Sequence, residues 1–177
     1  AAKGLSSTQV LKWVKKENPD VLGFSVLITS YKEALDLARQ AKEENPNLLV
    51  VFGNYHATFN AERILNRYSF VDVVVRGEGE QAVLQLMECL NKKRSLAEIA
   101  SLTFRNSGRV VSTPDAPLVG NIEALPIPNR ALTEADYTSE IFGIKVATRK
   151  FTSIISSRGC PFHCAFCGCR KFARSVW

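Results

Sequence analysis

The chain has 177 residues, 46% apolar and 23% charged, with a formal net charge of +6. This is a globular composition, and a chain of this length buries about two-thirds of its unfolded surface without needing disulfide staples. No run approaches the ~20 apolar residues of a membrane span, and the opening AAKGLSSTQV has no apolar signal-peptide core; neither a membrane protein nor a secreted disulfide scaffold is expected.

In chain order, Ser6, Ser7 or Thr8 is placed to cap a helix that carries Val10, Leu11, Trp13 and Val14 and stops near Pro19. Val21 to Ile28 is a continuous apolar run of strand length. Tyr31 to Asn45 repeats apolar residues at helical spacing (Ala34, Leu35, Leu37, Ala38, Ala41). Leu48 to Phe52 is a second apolar strand, followed by a helix through Ala61, Ile64, Leu65 and Tyr68. A third strand runs from Val71 to Val75, and a helix from Glu80 to Leu90. Apolar strands separated by helices imply a parallel sheet covered on both faces, the doubly wound α/β class, which places its ligand outside the carboxyl ends of the strands. Those ends are Thr29-Ser30, Gly53-Asn54-Tyr55-His56 and Arg76-Gly77-Glu78-Gly79-Glu80, all polar or glycine-bearing.

Residues 101–112 read as a β-hairpin around Asn106-Ser107-Gly108. Pro114, Pro117, Pro126 and Pro128 then mark a linker. Thr152 to Ser156 is a short β-type run leading into the cysteines. The expected division is 1–94 for the α/β domain, whose usual first strand is missing, 95–130 for the hairpin and linker, and 131–177 for the start of another domain.

Charge and cysteine are unevenly placed. Residues 1–92 hold 11 Lys/Arg and 11 Asp/Glu, and the remainder 12 and 6, so the whole net charge sits in the second part. From Lys145 to Trp177 there are seven basic residues and no acidic one. Cys160, Cys164, Cys167 and Cys169 fall within ten residues there, with Cys89 apart. Without an export signal such a cluster reads as metal ligation before disulfide.

Cys160, Cys164 and Cys167 form C-x3-C-x2-C. Three thiolates on one short loop can hold three irons of a cubane cluster and leave a fourth open, and an open position marks a catalytic site. Gly159 lets the backbone approach closely. Zinc is the alternative: Cys169 or His163 would complete four ligands, making the chain a flavodoxin-like binding module with a structural zinc tail. A nucleic-acid binder, using the basic stretch with Phe151, Phe162, Phe166, Phe172 and Trp177 as stacking surfaces, is a third reading. Charge alone supports it weakly, and nucleic acid is not the expected partner.

The stretch TSIISSRGCPFHCAFC resembles the opening strand and cluster loop of radical S-adenosylmethionine (radical SAM) enzymes. The resemblance implies that Cys160, Cys164 and Cys167 bind a [4Fe-4S] cluster, that S-adenosyl-L-methionine chelates the open iron, and that Phe166 lies beside its adenine. Cys169 is then a bystander. The upstream pieces Pro19 to Ser25, Gly53 to Thr58 and Val71 to Glu80 resemble the cobalamin-binding domain that precedes the barrel in one subgroup of that family. Cofactor contacts are accordingly expected from Ser25, Thr29, Gly53, Asn54, His56, Arg76, Gly77, Glu78 and Gly79. Two departures stand out: Gly53-Asn54 replaces a usual Gly-Gly, so a side chain at 54 crowds the cofactor's tail, and the D-x-H-x-x-G motif that supplies a histidine to cobalt is absent. His56 is therefore given no axial role. The resemblance implies the N-terminal part of a cytoplasmic, cobalamin-dependent radical SAM enzyme, ending in the first strand and cluster loop of a truncated barrel and inactive alone. The whole enzyme would take electrons from a donor such as flavodoxin or ferredoxin and methylate or rearrange an unactivated carbon of a small-molecule substrate.

Overall fold

The computed structural model describes residues 6–92, 94–133, 140–141, 144–145 and 155–173. Helix α1 (Ser7–Glu17) opens with a reciprocal cap, in which the Ser6 hydroxyl accepts the Gln9 N–H and the Gln9 side chain accepts the Ser6 N–H at 2.8 Å. It ends at Asn18, in the left-handed region (φ 42), immediately before Pro19. Strand β1 (Val21–Ser25), helix α2 (Tyr31–Glu44) and strand β2 (Leu49–Gly53) follow. The chain then forms α3 (Asn54–Phe59), α4 (Ala61–Arg67), β3 (Val73–Val75) and α5 (Glu80–Lys92). The hairpin is β4 (Leu102–Asn106) and β5 (Arg109–Ser112). Beyond it lie a two-residue pair, β6 (Glu140–Ile141) with β7 (Ile144–Lys145), and a single turn, α6 (Cys169–Phe172).

The five-stranded sheet runs β1-β2-β3-β4-β5. β1 pairs parallel with β2, in register from Val21 opposite Leu49 to Ser25 opposite Gly53, and β2 pairs parallel with β3. β4 then pairs antiparallel with β3, Val73 opposite Phe104, so the hairpin extends the sheet of the α/β domain. Its two-residue turn, Ser107 (φ 49) and Gly108 (φ 81), has positive φ at both central positions, the geometry that matches strand twist.

Alternation along the strands divides the core in two. Val50, Phe52 and Val74 face α2, α3 and α4 through Ala34, Ala38, Ala57, Ile64 and Leu65. Val51, Val73 and Val75 face α5 and the residues before β4 through Ala82, Leu86, Cys89 and Ile99. Helices therefore cover both faces, as the apolar runs predict. Cys89 is a core residue on α5, far in sequence from the other four cysteines.

The elements depart from the sequence expectation in two places. β1 ends at Ser25 instead of Ile28; Val26 stays buried, but Leu27 and Ile28 turn out to solvent. The residues after Gly53 are a helix of their own, so His56 lies on α3. Most of the strand expected over 152–156 lies outside the described residues. Among the described residues no helix is long and apolar enough to cross a membrane.

Two arginines tie the antiparallel half to the parallel half. Arg105 of β4 donates to the carbonyls of Tyr68 and Val71, both at 2.6 Å, and to that of Leu65, closing the C-terminus of α4. Arg76, at the end of β3, donates to Leu102 O (3.1 Å), Thr103 Oγ1 (2.7 Å), Thr113 O (2.6 Å) and Asp115 Oδ1 (2.8 Å).

Candidate functional site

The carboxyl ends of β1, β2 and β3 open onto a cleft of about 1070 Å³, at the upper end of small-molecule site volumes. Ser25, Asn54, Gly77, Glu78 and Gly79 line it on the domain side, with Glu80 at the start of α5. On the far side lie Leu118, Val119 and Gly120 of the linker, then Ser157, Arg158 and Gly159 leading into the cysteines, and Cys169 and Phe172 of α6. The structure thus brings strand ends, linker and cysteine segment to one space.

Asn54 has φ 76, a left-handed conformation that asparagine adopts more readily than most residues. Its side-chain NH₂ donates to Ser25 Oγ at 2.8 Å, and its Oδ1 accepts the Tyr55 N–H at 2.6 Å. The Asn54 amide thus engages the Ser25 hydroxyl at the strand ends. Gly77 also needs its glycine, with φ 67 and open space where a Cβ would stand. Its N–H is donated to Thr58 Oγ1 at 3.1 Å.

Glu78 and Glu80 are the charged floor of the cleft. Glu78 Oε2 accepts the Val119 N–H at 2.6 Å, and Glu78 Oε1 lies 3.3 Å from Arg158 Nη1. Glu80 Oε1 lies 2.6 Å from Arg158 Nη2. Burial pushes the Glu80 carboxyl up, but the hydrogen bond from Arg158, the bond to its own backbone N–H and the Arg158 charge together hold it below the ordinary value of 4.5.

Four residues expected at the ligand do not line this cleft. Arg76 turns into the hairpin. Thr29 is exposed in the turn after β1. Gly53 faces the neighbouring strand, where a Cβ would meet Val75 O at 3.7 Å. His56 packs its ring on Tyr31, centroids 4.2 Å apart, and burial holds it below 6.5. Three aromatics meet at the edge of the cleft: Tyr55, which the sequence marks only as part of a strand end, Phe172, read there only as a nucleic-acid stacking surface, and Phe59, which it does not single out. Tyr55 stacks on Phe172 with centroids at 4.0 Å, and Phe59 meets Phe172 edge-on at 6.4 Å. Burial first, and Cys169 beside it second, push the Tyr55 hydroxyl up. The aromatics of α3 sit four apart, an ordinary helical pair, and nothing local marks them as a dock for a segment over a hundred residues away.

All five cysteines are free thiols. Gly159 (φ 88) makes the left-handed entry to the loop, and Cys167 N–H bonds Cys164 O at 3.1 Å within it. Cys164 and Cys167 are exposed, Cys160 and Cys169 half-buried, and Phe166 is 93% exposed. Among the described residues no three His, Cys, Asp or Glu side chains converge on a metal-holding point. The donor chemistry fits a thiolate-bound cluster: three free thiols within eight residues, no carboxylate among them, on a loop with little regular structure. Such ligands are commonly gathered by the metal itself. The cleft, in size and mixed lining, fits a large organic cofactor.

Residues 4–87 match the family described as the B12 binding domain. Over 94% of its length the chain is 35% identical to an uncharacterized methyltransferase of Pyrococcus horikoshii, covering 35% of that protein. Over 96% of its length it is 30% identical to the anaerobic magnesium-protoporphyrin IX monomethyl ester cyclase of Cereibacter sphaeroides, covering 28%. The chain thus spans between 28% and 35% of the length of these relatives. Its fold is similar to the solved structure of OxsB, a cobalamin-dependent S-adenosylmethionine radical enzyme with aqua-cobalamin and S-adenosylmethionine bound. That match has a TM-score of 0.57 at 24% identity and covers 65% of this chain and 16% of the other.

Proposed function

We propose that this chain, which matches the B12 binding domain family over residues 4–87, is the cofactor-binding part of a cobalamin-dependent radical SAM enzyme. The observation that carries the reading is the shared cleft: the strand ends of a B12-binding domain form one wall, and the segment entering C-x3-C-x2-C forms the other. Cobalamin would occupy the space along Ser25, Asn54 and Gly77 to Gly79. Cys160, Cys164 and Cys167 would hold a [4Fe-4S] cluster, with Phe166 beside the adenine of S-adenosyl-L-methionine. When bound, these cofactors supply one-electron chemistry and methyl carriage; the chain's own residues bind and orient them. The proposed division is 1–94, 95–130 and 131–177, with the hairpin of the middle part joined to the sheet of the first.

For the whole protein we favour methyl transfer to an unactivated carbon of a small-molecule substrate, in keeping with the methyltransferase relative. Ring rearrangement is the second reading, and the cyclase relative favours it. Electrons would come from a donor such as flavodoxin or ferredoxin, in a cytoplasmic setting that spares an exposed cluster from oxygen. The test is EPR on anaerobically iron- and sulfide-reconstituted, dithionite-reduced protein, with visible-absorption titration of aquacobalamin. A reduced [4Fe-4S] signal that disappears in Cys160→Ala, with saturable cobalamin binding, is expected. Stoichiometric zinc in place of iron and sulfide would overturn the reading in favour of a zinc-tailed binding module.

A further inference from the structure

Two contacts hold the segment that carries the cysteines, one on each side of them. On the N-terminal side the Arg158 guanidinium forks between Glu80 (2.6 Å) and Glu78 (3.3 Å). Glu78 in turn holds the linker through Val119 N–H, so one carboxylate joins β3–α5, linker and cysteine segment. On the C-terminal side Phe172 stacks on Tyr55 and meets Phe59 edge-on. Gly168 lies so close to Phe59 that a Cβ there would stand 3.0 Å from the ring. An exposed ion pair alone would be worth little, but this fork is partly buried and reaches two carboxylates at once, which the several donors of a guanidinium allow. The aromatic contact adds directional packing of its own.

We propose that Arg158 and Phe172 are positioning residues, a two-point clamp that fixes the cysteine loop across the strand-end cleft. Arg158 sets the entry to the loop and Phe172 sets its exit, while the three thiols between them stay free to converge. The clamp is a property of the polypeptide without cofactors. Its consequence, that a ligand in the cleft and a cluster on the loop share one space, rests on the function proposed above.

The experiment is hydrogen exchange by mass spectrometry on the full 177-residue chain without added iron, comparing wild type, Arg158→Met, Phe172→Ala, Glu80→Gln and the Arg158→Met/Glu80→Gln double variant. Arg158→Met and Phe172→Ala are expected to speed amide exchange over 155–173 at least about fivefold, leaving β2 and β3 unchanged. The double variant should exchange no faster than Arg158→Met, because both changes break the same bond. Arg158→Lys, which keeps the charge but cannot fork, should fall between. Unchanged exchange over 155–173 in Arg158→Met, or equal acceleration across the whole sheet, would overturn the clamp. Iron and sulfide content after reconstitution separates the two ideas. A chain that shows the clamp but takes up no cluster refutes the function alone, and one that takes up cluster with no change in exchange refutes the clamp alone.

Discussion

Replacing Arg76 by methionine separates two roles for that residue. As a cofactor contact, its loss would weaken cobalamin binding and leave the fold alone. As the tether seen here, its loss should unfasten the hairpin. Its side chain is only 13% exposed and donates four hydrogen bonds. A bond from a charged donor contributes about 1.5–3 kcal/mol, but the four do not add. Leu102 O keeps the Thr113 N–H and hydroxyl, and Thr103 Oγ1 keeps Ser112. Asp115 is 59% exposed, so that ion pair contributes about 0–1 kcal/mol. The loss therefore centres on Thr113 O, while methionine preserves the apolar stem. A destabilisation of about 2–3 kcal/mol follows, a large part of the roughly 5–15 kcal/mol a domain has. Urea unfolding followed by far-UV circular dichroism measures it, alongside aquacobalamin titration at a temperature where both proteins are folded. The affinity should change less than about threefold, under 0.7 kcal/mol. A stability change below about 0.5 kcal/mol, the size of an ordinary surface substitution, together with a tenfold loss of affinity would refute the tether.

Three further outcomes follow from the same contacts. Arg105→Met should cost about 3 kcal/mol or more in urea unfolding, because buried carbonyls at the end of α4 lose a charged donor; Arg105→Lys should recover only part, since a point charge cannot fork. Asn54→Gly keeps the left-handed backbone at little cost and releases the Ser25 hydroxyl; aquacobalamin should bind at least as tightly, and weaker binding would show that the Asn54 amide is itself a ligand contact. The third concerns His56, whose folded value lies below 6.5 because burial disfavours its charged form. Between the folded and unfolded values the unfolded chain binds more protons, so stability is full above about pH 6.5 and falls as the pH drops through that window. His56→Gln should lessen the drop in urea midpoint between pH 7.5 and pH 5.5; an unchanged drop would assign it to other groups.

Local physics made much of this chain legible. Strand and helix positions follow from apolar periodicity, which reports the face each residue must bury, and the Pro19 and Asn106-Ser107-Gly108 breaks follow from backbone chemistry. The edge that lines the cleft was readable for the same reason: glycines and polar residues cluster where apolar strands end. Ser25, Asn54, Gly77, Glu78 and Gly79 do line the cleft. The three-cysteine spacing is a pattern that a chain carries wherever it folds.

What only the tertiary structure decided are the partners of side chains whose chemistry allows more than one. An arginine after a strand can meet a ligand or a hairpin, and Arg76 meets acceptors 26 to 39 residues further on. Glu78 reads as a helix N-terminal carboxylate, yet its oxygens are taken by Val119 and by Arg158, 80 residues away. The joining of the hairpin to β3, and of α6 to the aromatics of α3, are likewise long-range. Burial period and turn chemistry act within a few residues, so sequence alone determines the elements and the donors they carry. Which charges and rings meet depends on how those elements pack, because a hydrogen bond or stack selects its partner by distance in space.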